Sequence, residues 1–200
     1  MTLTLLIQAS NGVPSLALGR GDEIVFDSAA EETLSGSRDY RLMLETGLAA
    51  IGSDLSEITL IACDIGPGGL GVTRTAAAFA NGLGFARSIP VLPLPAFELL
   101  GAEVARDKPV AILRRAARPH VHFGIYADGK LALYEHCTEQ NTLDQLSDME
   151  DYDLAGNIEV AGHGAPVTNK ATMGTMLRLA LSAPTPGPES RAWPIVEVLE

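Results

Sequence analysis

Ile58-Thr-Leu-Ile-Ala-Cys63, Gly66-Pro-Gly-Gly-Leu-Gly71 and Ile89-Pro-Val-Leu92 carry the pattern that decides the fold. The first and last are short apolar runs of the kind that form buried strands. Between the glycine-rich loop and the second run lies a segment over 73–87 holding Ala76, Ala77, Ala78, Ala80, Gly82, Gly84 and Ala86. Its length and composition predict a helix. Strand, loop, helix and strand in this order point to a sheet with helices packed on its faces.

Upstream, Leu3-Thr-Leu-Leu-Ile7, Ser15-Leu-Ala-Leu18 and Glu23-Ile-Val-Phe26 are three more apolar runs, parted by Asn11-Gly12 and Gly19-Arg-Gly-Asp22. Turn residues between short runs predict an antiparallel meander. Over 36–52 the period changes. Tyr40, Met43, Leu44, Gly47, Leu48 and Ile51 recur at helical spacing, with Ser35 or Ser37 as cap and Gly52 as stop. A further helix is expected over 96–105. Beyond the charged break Arg106-Asp-Lys-Pro109, strands are predicted over 110–113, 121–126 and 130–137, with Asp128-Gly129 as a hairpin turn. A strand over 158–161, a helix over 170–181 and an extended segment over 193–199 complete the reading. The class is α/β with mixed sheets, in two lobes: 1–105, and a smaller 106–200 whose last segment is free to return to the first.

Of 200 residues, 46% are hydrophobic and 20% charged, the composition of a globular chain. Fourteen basic against 25 acidic residues leave a net charge of −11, which opposes gripping nucleic acid over the whole surface. Cys63 and Cys137 are too few for a disulfide framework or a four-cysteine zinc site and read as thiols in a reducing compartment. Met1 to Ile7 lacks a basic start, and Ala76 to Ala86 is too short to span a bilayer. A soluble cytoplasmic protein without membrane attachment is expected.

The loop Gly66 to Gly71 stands where backbone N–H groups can cradle a phosphate, with Arg74 as the nearby cation. A tight structural turn explains it equally well, and no Gly-Lys-Ser/Thr follows. His120 and His122 share one face of a strand, but no third metal ligand is indicated, so exposed strand histidines are the simpler reading; His136 and His163 look scattered. Asp22, Asp27, Asp54 and Asp64 read as turns, caps and solvated faces. No nucleophile elbow is present. Ala76, Ala80 and Gly84 form a small-residue face, and Tyr40, Met43, Leu44 and Gly47 line the other helix. Such faces admit close approach either within the subunit or by a helix of another chain.

These stretches together resemble the TsaB (YeaZ) family of tRNA threonylcarbamoyladenosine biosynthesis proteins, formerly grouped with glycoprotease-like M22 peptidases. The family opens with an apolar strand, Asp-Thr-Ser and then Ser-Val-Ala-Leu; here stand Leu5-Leu-Ile-Gln-Ala-Ser10 and Ser15-Leu-Ala-Leu18. Its hallmark Gly-Pro-Gly-Ser-Phe-Thr-Gly-Leu-Arg is matched by Gly66-Pro-Gly-Gly-Leu-Gly-Val-Thr-Arg74, followed without a gap by Ser88-Ile-Pro-Val91. Gly162-His-Gly-Ala165 resembles a late Gly-Asp-Gly-Ala turn. The match is specific over about the first 100 residues and weak beyond.

The resemblance implies a two-lobed actin-like ATPase (RNase H-like) fold. It further implies a non-catalytic scaffold that binds and stabilises the catalytic subunit TsaD in formation of N6-threonylcarbamoyladenosine. A TsaE-like ATPase would join the complex, TsaC would supply threonylcarbamoyl-AMP, and tRNA would bind only through the complex. A homodimer would form in the absence of TsaD. Gln8 replaces the family's Asp and Ala9 its Thr; Gly69, Gly71 and Val72 replace Ser, Thr and Gly; Gly36 stands near a family His. An uncharged Gln8 is a poor organiser of Mg²⁺. Gln8, Ser10, Gly66, Pro67, Gly68 and Arg74 are therefore degenerate nucleotide-loop positions. No catalytic residue, metal or cofactor is expected. Tyr40, Met43, Leu44, Gly47, Ala76, Ala80 and Gly84 are the expected partner or dimer face. The rivals are an ATP-dependent phosphotransferase or ATPase of the same fold, and a peptidase.

Overall fold

The computed structural model describes residues 2–162 and 164–195. His163, in the expected late turn, and residues 196–199 of the expected last segment lie outside the described residues; 193–195 have no regular structure. In chain order the elements are β1 (Leu3–Gln8), β2 (Ser15–Arg20), β3 (Glu23–Asp27), α1 (Tyr40–Ala50), β4 (Ile58–Asp64), α2 (Leu70–Arg87) and β5 (Val91–Leu94). There follow α3 (Ala96–Val104), β6 (Val110–Arg115), β7 (His120–Ala127), β8 (Lys130–Thr138), α4 (Glu139–Ser147), β9 (Asp153–Gly156) and α5 (Met173–Ser182). Two compact units result, one from the chain up to Leu94 together with Thr172–Pro194, the other from Pro95–Ala171.

In the first unit the sheet runs β3-β2-β1-β4-β5. β1 pairs antiparallel with β2 and parallel with β4, so Leu5 lies between Leu18 and Ile61. Leu5, Ile7, Leu16, Leu18, Ile61 and Cys63 point to one face and share a core with Met43, Ala76, Ala80 and Val91. The alternate residues Leu6, Ala17 and Ala62, also fully buried, point to the other face. There α5 meets β1, β3 and β4. A Cβ on Gly19 would stand 2.8 Å from Leu177 Cδ1, so glycine lets α5 settle. The segment after α5 is laced to the same unit. The Asn81 side chain both donates to Ala192 O and accepts from Ala192 N, each at 2.8 Å, and Ser190 Oγ donates to Val91 O at 2.8 Å.

The second unit's sheet runs β8-β7-β6-β9, with β6 antiparallel to β7 and parallel to β9. This is the winding of β3-β2-β1-β4 over again, with a helix before the fourth strand in both. α3 belongs here: Phe97, Leu100 and Val104 share a core with Val110, Ile112, Tyr126 and Ala155. For that reason the boundary between the two units falls after Leu94 and not at the charged break near residue 105.

Four local readings are corrected. α1 is capped by Asp39, whose Oδ1 accepts from Leu42 N at 3.0 Å, not by Ser35 or Ser37. α2 starts at Leu70, so the end of the glycine-rich stretch is its first turn. The fourth strand of the second sheet is Asp153–Gly156, where Leu154 and Ala155 are buried; 158–161 forms only the isolated bridge from Val160 to Gly164. α4 was not foreseen, since it buries only Thr142 and Leu146 among polar neighbours.

Gly156 has φ +111°, and a Cβ there would fall on the Leu113 carbonyl oxygen. Gly156→Ala is expected to cost more than about 2 kcal/mol, combining backbone strain with a clash that no side-chain rotation relieves. Gly82, in α2 with open space around its Cα, is the control: Gly82→Ala should stabilise by about 1 kcal/mol. Urea unfolding of both variants checks the pair.

Candidate functional site

The loops that follow β1 and β4 meet at the carboxyl ends of these parallel strands, and Asp64 joins them. It is the last residue of β4 and fully buried. Its Oδ2 accepts from Ser10 N at 2.9 Å and Ala9 N at 3.2 Å; its Oδ1 accepts from Gly66 N at 2.9 Å. Gly69 N adds a bond to Ser10 O at 3.2 Å, and Gly12 N closes the first loop on Ala9 O at 2.9 Å. Gly66 adopts φ +87° and precedes a cis peptide to Pro67.

Of the degenerate loop positions, Gln8, Ser10, Gly66 and Pro67 are buried around this corner and Gly68 is half-buried. Arg74 stands apart, exposed on α2. Two N–H groups that a phosphate-binding loop would turn outward, those of Gly66 and Gly69, are spent inside the protein. Both oxygens of Asp64 are likewise occupied. The arrangement is a closed knot that already contains its own anion. Asp64 is thus not the turn, cap or solvated carboxylate that its sequence context suggests; the signal for its role is an acid closing an apolar strand just before the glycine-rich loop. Asp27 and Asp54 do hold turns, accepting from Ala29 N at 2.9 Å and Ser56 N at 2.7 Å.

Burial pushes the Cys63 thiol pKa well up, and the neighbouring Asp64 charge adds to the effect. Burial likewise raises the Tyr40 hydroxyl, with Cys63 and Asp64 contributing. That hydroxyl has no hydrogen-bond partner, and its ring stacks on Phe79 with centroids 5.4 Å apart.

The expected partner face turns inward. Tyr40, Met43, Leu44, Gly47, Ala76, Ala80 and Gly84 are all buried in the subunit's own core. A Cβ on Gly47 would sit 2.6 Å from the Phe26 ring, and one on Gly84 2.7 Å from Val91 Cγ2. The small residues let α1 and α2 settle on their own sheet. What the helices present outward is a different set. Arg41, Thr75, Ala78 and half-buried Phe79 border an open depression of about 750 Å³ between the start of α1 and α2.

In the second unit the His136 ring stacks on His120 with centroids 5.0 Å apart and lies tilted against His122 at 5.1 Å. His122 is buried, its Nδ1 3.0 Å from Tyr134 Oη, and so is not an exposed strand histidine. Among the described residues no group of His, Cys, Asp or Glu has the geometry of a metal site. Nor is any described helix long and apolar enough to cross a membrane.

The whole chain follows the fold of YeaZ from Pseudomonas aeruginosa, with a TM-score of 0.74 and 22% identity over 98% of this chain and 100% of that one. A second structure, of a protein described as similar to peptidase YeaZ from the same organism, superposes equally well over 98% and 99%. The fold is thus the one the opening and glycine-rich motifs resemble. Residues 37–178 match the family model "TsaD: tRNA N6-adenosine threonylcarbamoyltransferase", and the chain belongs to that family. A tRNA N6-adenosine threonylcarbamoyltransferase of Aromatoleum aromaticum is 40% identical over 79 residues, 36% of this chain and 23% of that protein. The match therefore spans less than a quarter of that relative's length.

Asp64→Ala leaves three buried N–H groups without an acceptor. It should lower unfolding free energy by at least about 3 kcal/mol, with Asp64→Asn intermediate because one acceptor oxygen survives. Chemical denaturation of the three proteins is the measurement. In the native protein a thiol-exchange reagent should modify half-buried Cys137 first and reach Cys63 only on unfolding. Peptide mapping of the labelled protein reads the order.

Proposed function

We propose that this chain is a non-catalytic, partner-binding member of the machinery that forms N6-threonylcarbamoyladenosine in tRNA, and that it binds and stabilises the catalytic threonylcarbamoyltransferase. The observation that carries the reading is the knot around Asp64. An ATPase needs this corner open and an acid beside it to organise a metal ion; here the corner is filled and Gln8 is an amide. Membership of the transferase family supports the pathway. In the same reading a TsaE-like ATPase joins the complex, the isolated chain pairs with a second copy, and the assembly works in the cytoplasm. tRNA is met only through the complex, in keeping with the net charge of −11.

The proposed contact surface is the outward side of α1 and α2, around Thr75, Ala78 and Phe79, not the buried stripes. Ala80 is fully buried, so Ala80→Glu should unfold the protein rather than sort partners. Ala78, exposed on α2, is the informative site. Ala78→Glu combined with Thr75→Arg should abolish co-purification with the transferase from the native host while leaving the melting temperature within a few degrees. Undiminished capture of the transferase refutes the surface. The isolated chain should show no multiple turnover of ATP with Mg²⁺, and steady-state hydrolysis that disappears with Arg74→Ala refutes the non-catalytic reading.

A further inference from the structure

The corner that Asp64 closes in the first unit recurs in the second, where it stands open. By strand order β6, β7 and β9 repeat β1, β2 and β4, so the turn between β6 and β7 and the residues after β9 match the two loops knotted by Asp64. The side chain in the matching place is Asn157. Its Oδ1 accepts from Arg115 N at 2.9 Å, while Asn157 N donates to Leu113 O at 2.9 Å. An amide brings no negative charge, and its Nδ2 is left over as a donor.

Instead of an internal anion, this corner borders a solvent-open cavity of about 470 Å³. Arg115 and Arg118 come from one side of it, His120 from the start of β7, Asn157 and Glu159 from beyond β9, and Glu139 from the first turn of α4. Among the described residues neither Arg115 nor Arg118 forms an ion pair, although Glu139 and Glu159 line the same cavity and acids outnumber bases 25 to 14 in the chain. Two guanidiniums without ion pairs, lining one cavity with an imidazole and an amide donor, match a group with several acceptor oxygens. The cavity is larger than a free anion and falls in the range of small-ligand sites. Its acids are suited to accept from hydroxyl or amino groups.

We propose that this corner of the second unit is a binding site for a small phosphate ester bearing hydroxyl or amino groups, with Arg115 and Arg118 on the phosphate and Glu139 or Glu159 on the remainder. The site is independent of the partner-binding surface and of whether that assignment stands.

The full-length protein, isotopically labelled, is titrated separately with adenosine 5′-monophosphate, ribose 5-phosphate, adenosine and inorganic phosphate, at constant ionic strength. Both esters should shift the amide signals of 115–120 and 157–159, with dissociation constants of about a millimolar or tighter. If only the nucleotide does so, the ester is a nucleotide; if only the sugar phosphate does so, it is a sugar phosphate; either result upholds the site. Arg115→Ala with Arg118→Ala should weaken binding at least about tenfold, and Glu159→Gln should not abolish it. Both arginines are exposed, and an unchanged spectrum elsewhere confirms that the variant is folded. Absence of shifts with both esters at about 10 mM overturns the proposal. So do undiminished binding by the double variant, adenosine binding as tightly as its monophosphate, and inorganic phosphate binding as tightly as the esters.

Discussion

A single buried carboxylate holds the first unit together. Asp64 gathers three backbone donors from two loops that lie more than fifty residues away from each other in sequence. The carboxyl ends of parallel strands leave loops with unspent N–H groups, and these need an acceptor, internal or external. An internal carboxylate satisfies them permanently and fixes β1 against β4. It also occupies the N–H groups of Ala9, Ser10 and Gly66. The bonds that tie β1 to the loop after β4 are thus the same bonds that fill the corner.

The helices are governed by a second constraint, closeness of approach. Gly47 on Phe26, Gly84 on Val91, Gly101 on Tyr126 and Gly124 on Phe97 are points where a Cβ would collide with the neighbouring side chain. Each removes a side chain where an aromatic or branched neighbour needs the volume. Backbone entropy lost to glycine is offset by the larger apolar surface that the neighbour then buries.

The sequence made most of the first unit legible. Its strands are dense in Leu, Ile and Val, and Gly52 sits where a positive φ angle is required, as Asp128-Gly129 does in the second unit. α4 escaped because its sequence is polar and it buries little, and the last strand was misplaced because Leu154-Ala155 is too short a signal beside Ile158. At the site, Gln8, Ser10 and the glycine-rich loop were visible as motif positions. The work of Asp64 was not, since its partners are main-chain donors, which no residue type announces. Periodicity identified the apolar faces of α1 and α2 correctly but could not say what covers them. The histidine stack joins neighbouring strands β7 and β8 through a register that a linear reading treats as scattered.

The lacing of Asn81 to Ala192, and of Ser190 to Val91, bears on the order in which the chain acquires its structure during synthesis. The first unit is assembled from two separate stretches, the residues up to Leu94 and Thr172–Pro194, with α5 covering one face of its sheet and Ala192 fastened to Asn81 of α2. The strands and helices of the second unit all come from the one stretch Pro95–Ala171. Every strand and helix of the second unit is synthesised before α5. Leu6, Ala17 and Ala62 keep their face uncovered until α5 has been made. The half made first is the half finished last.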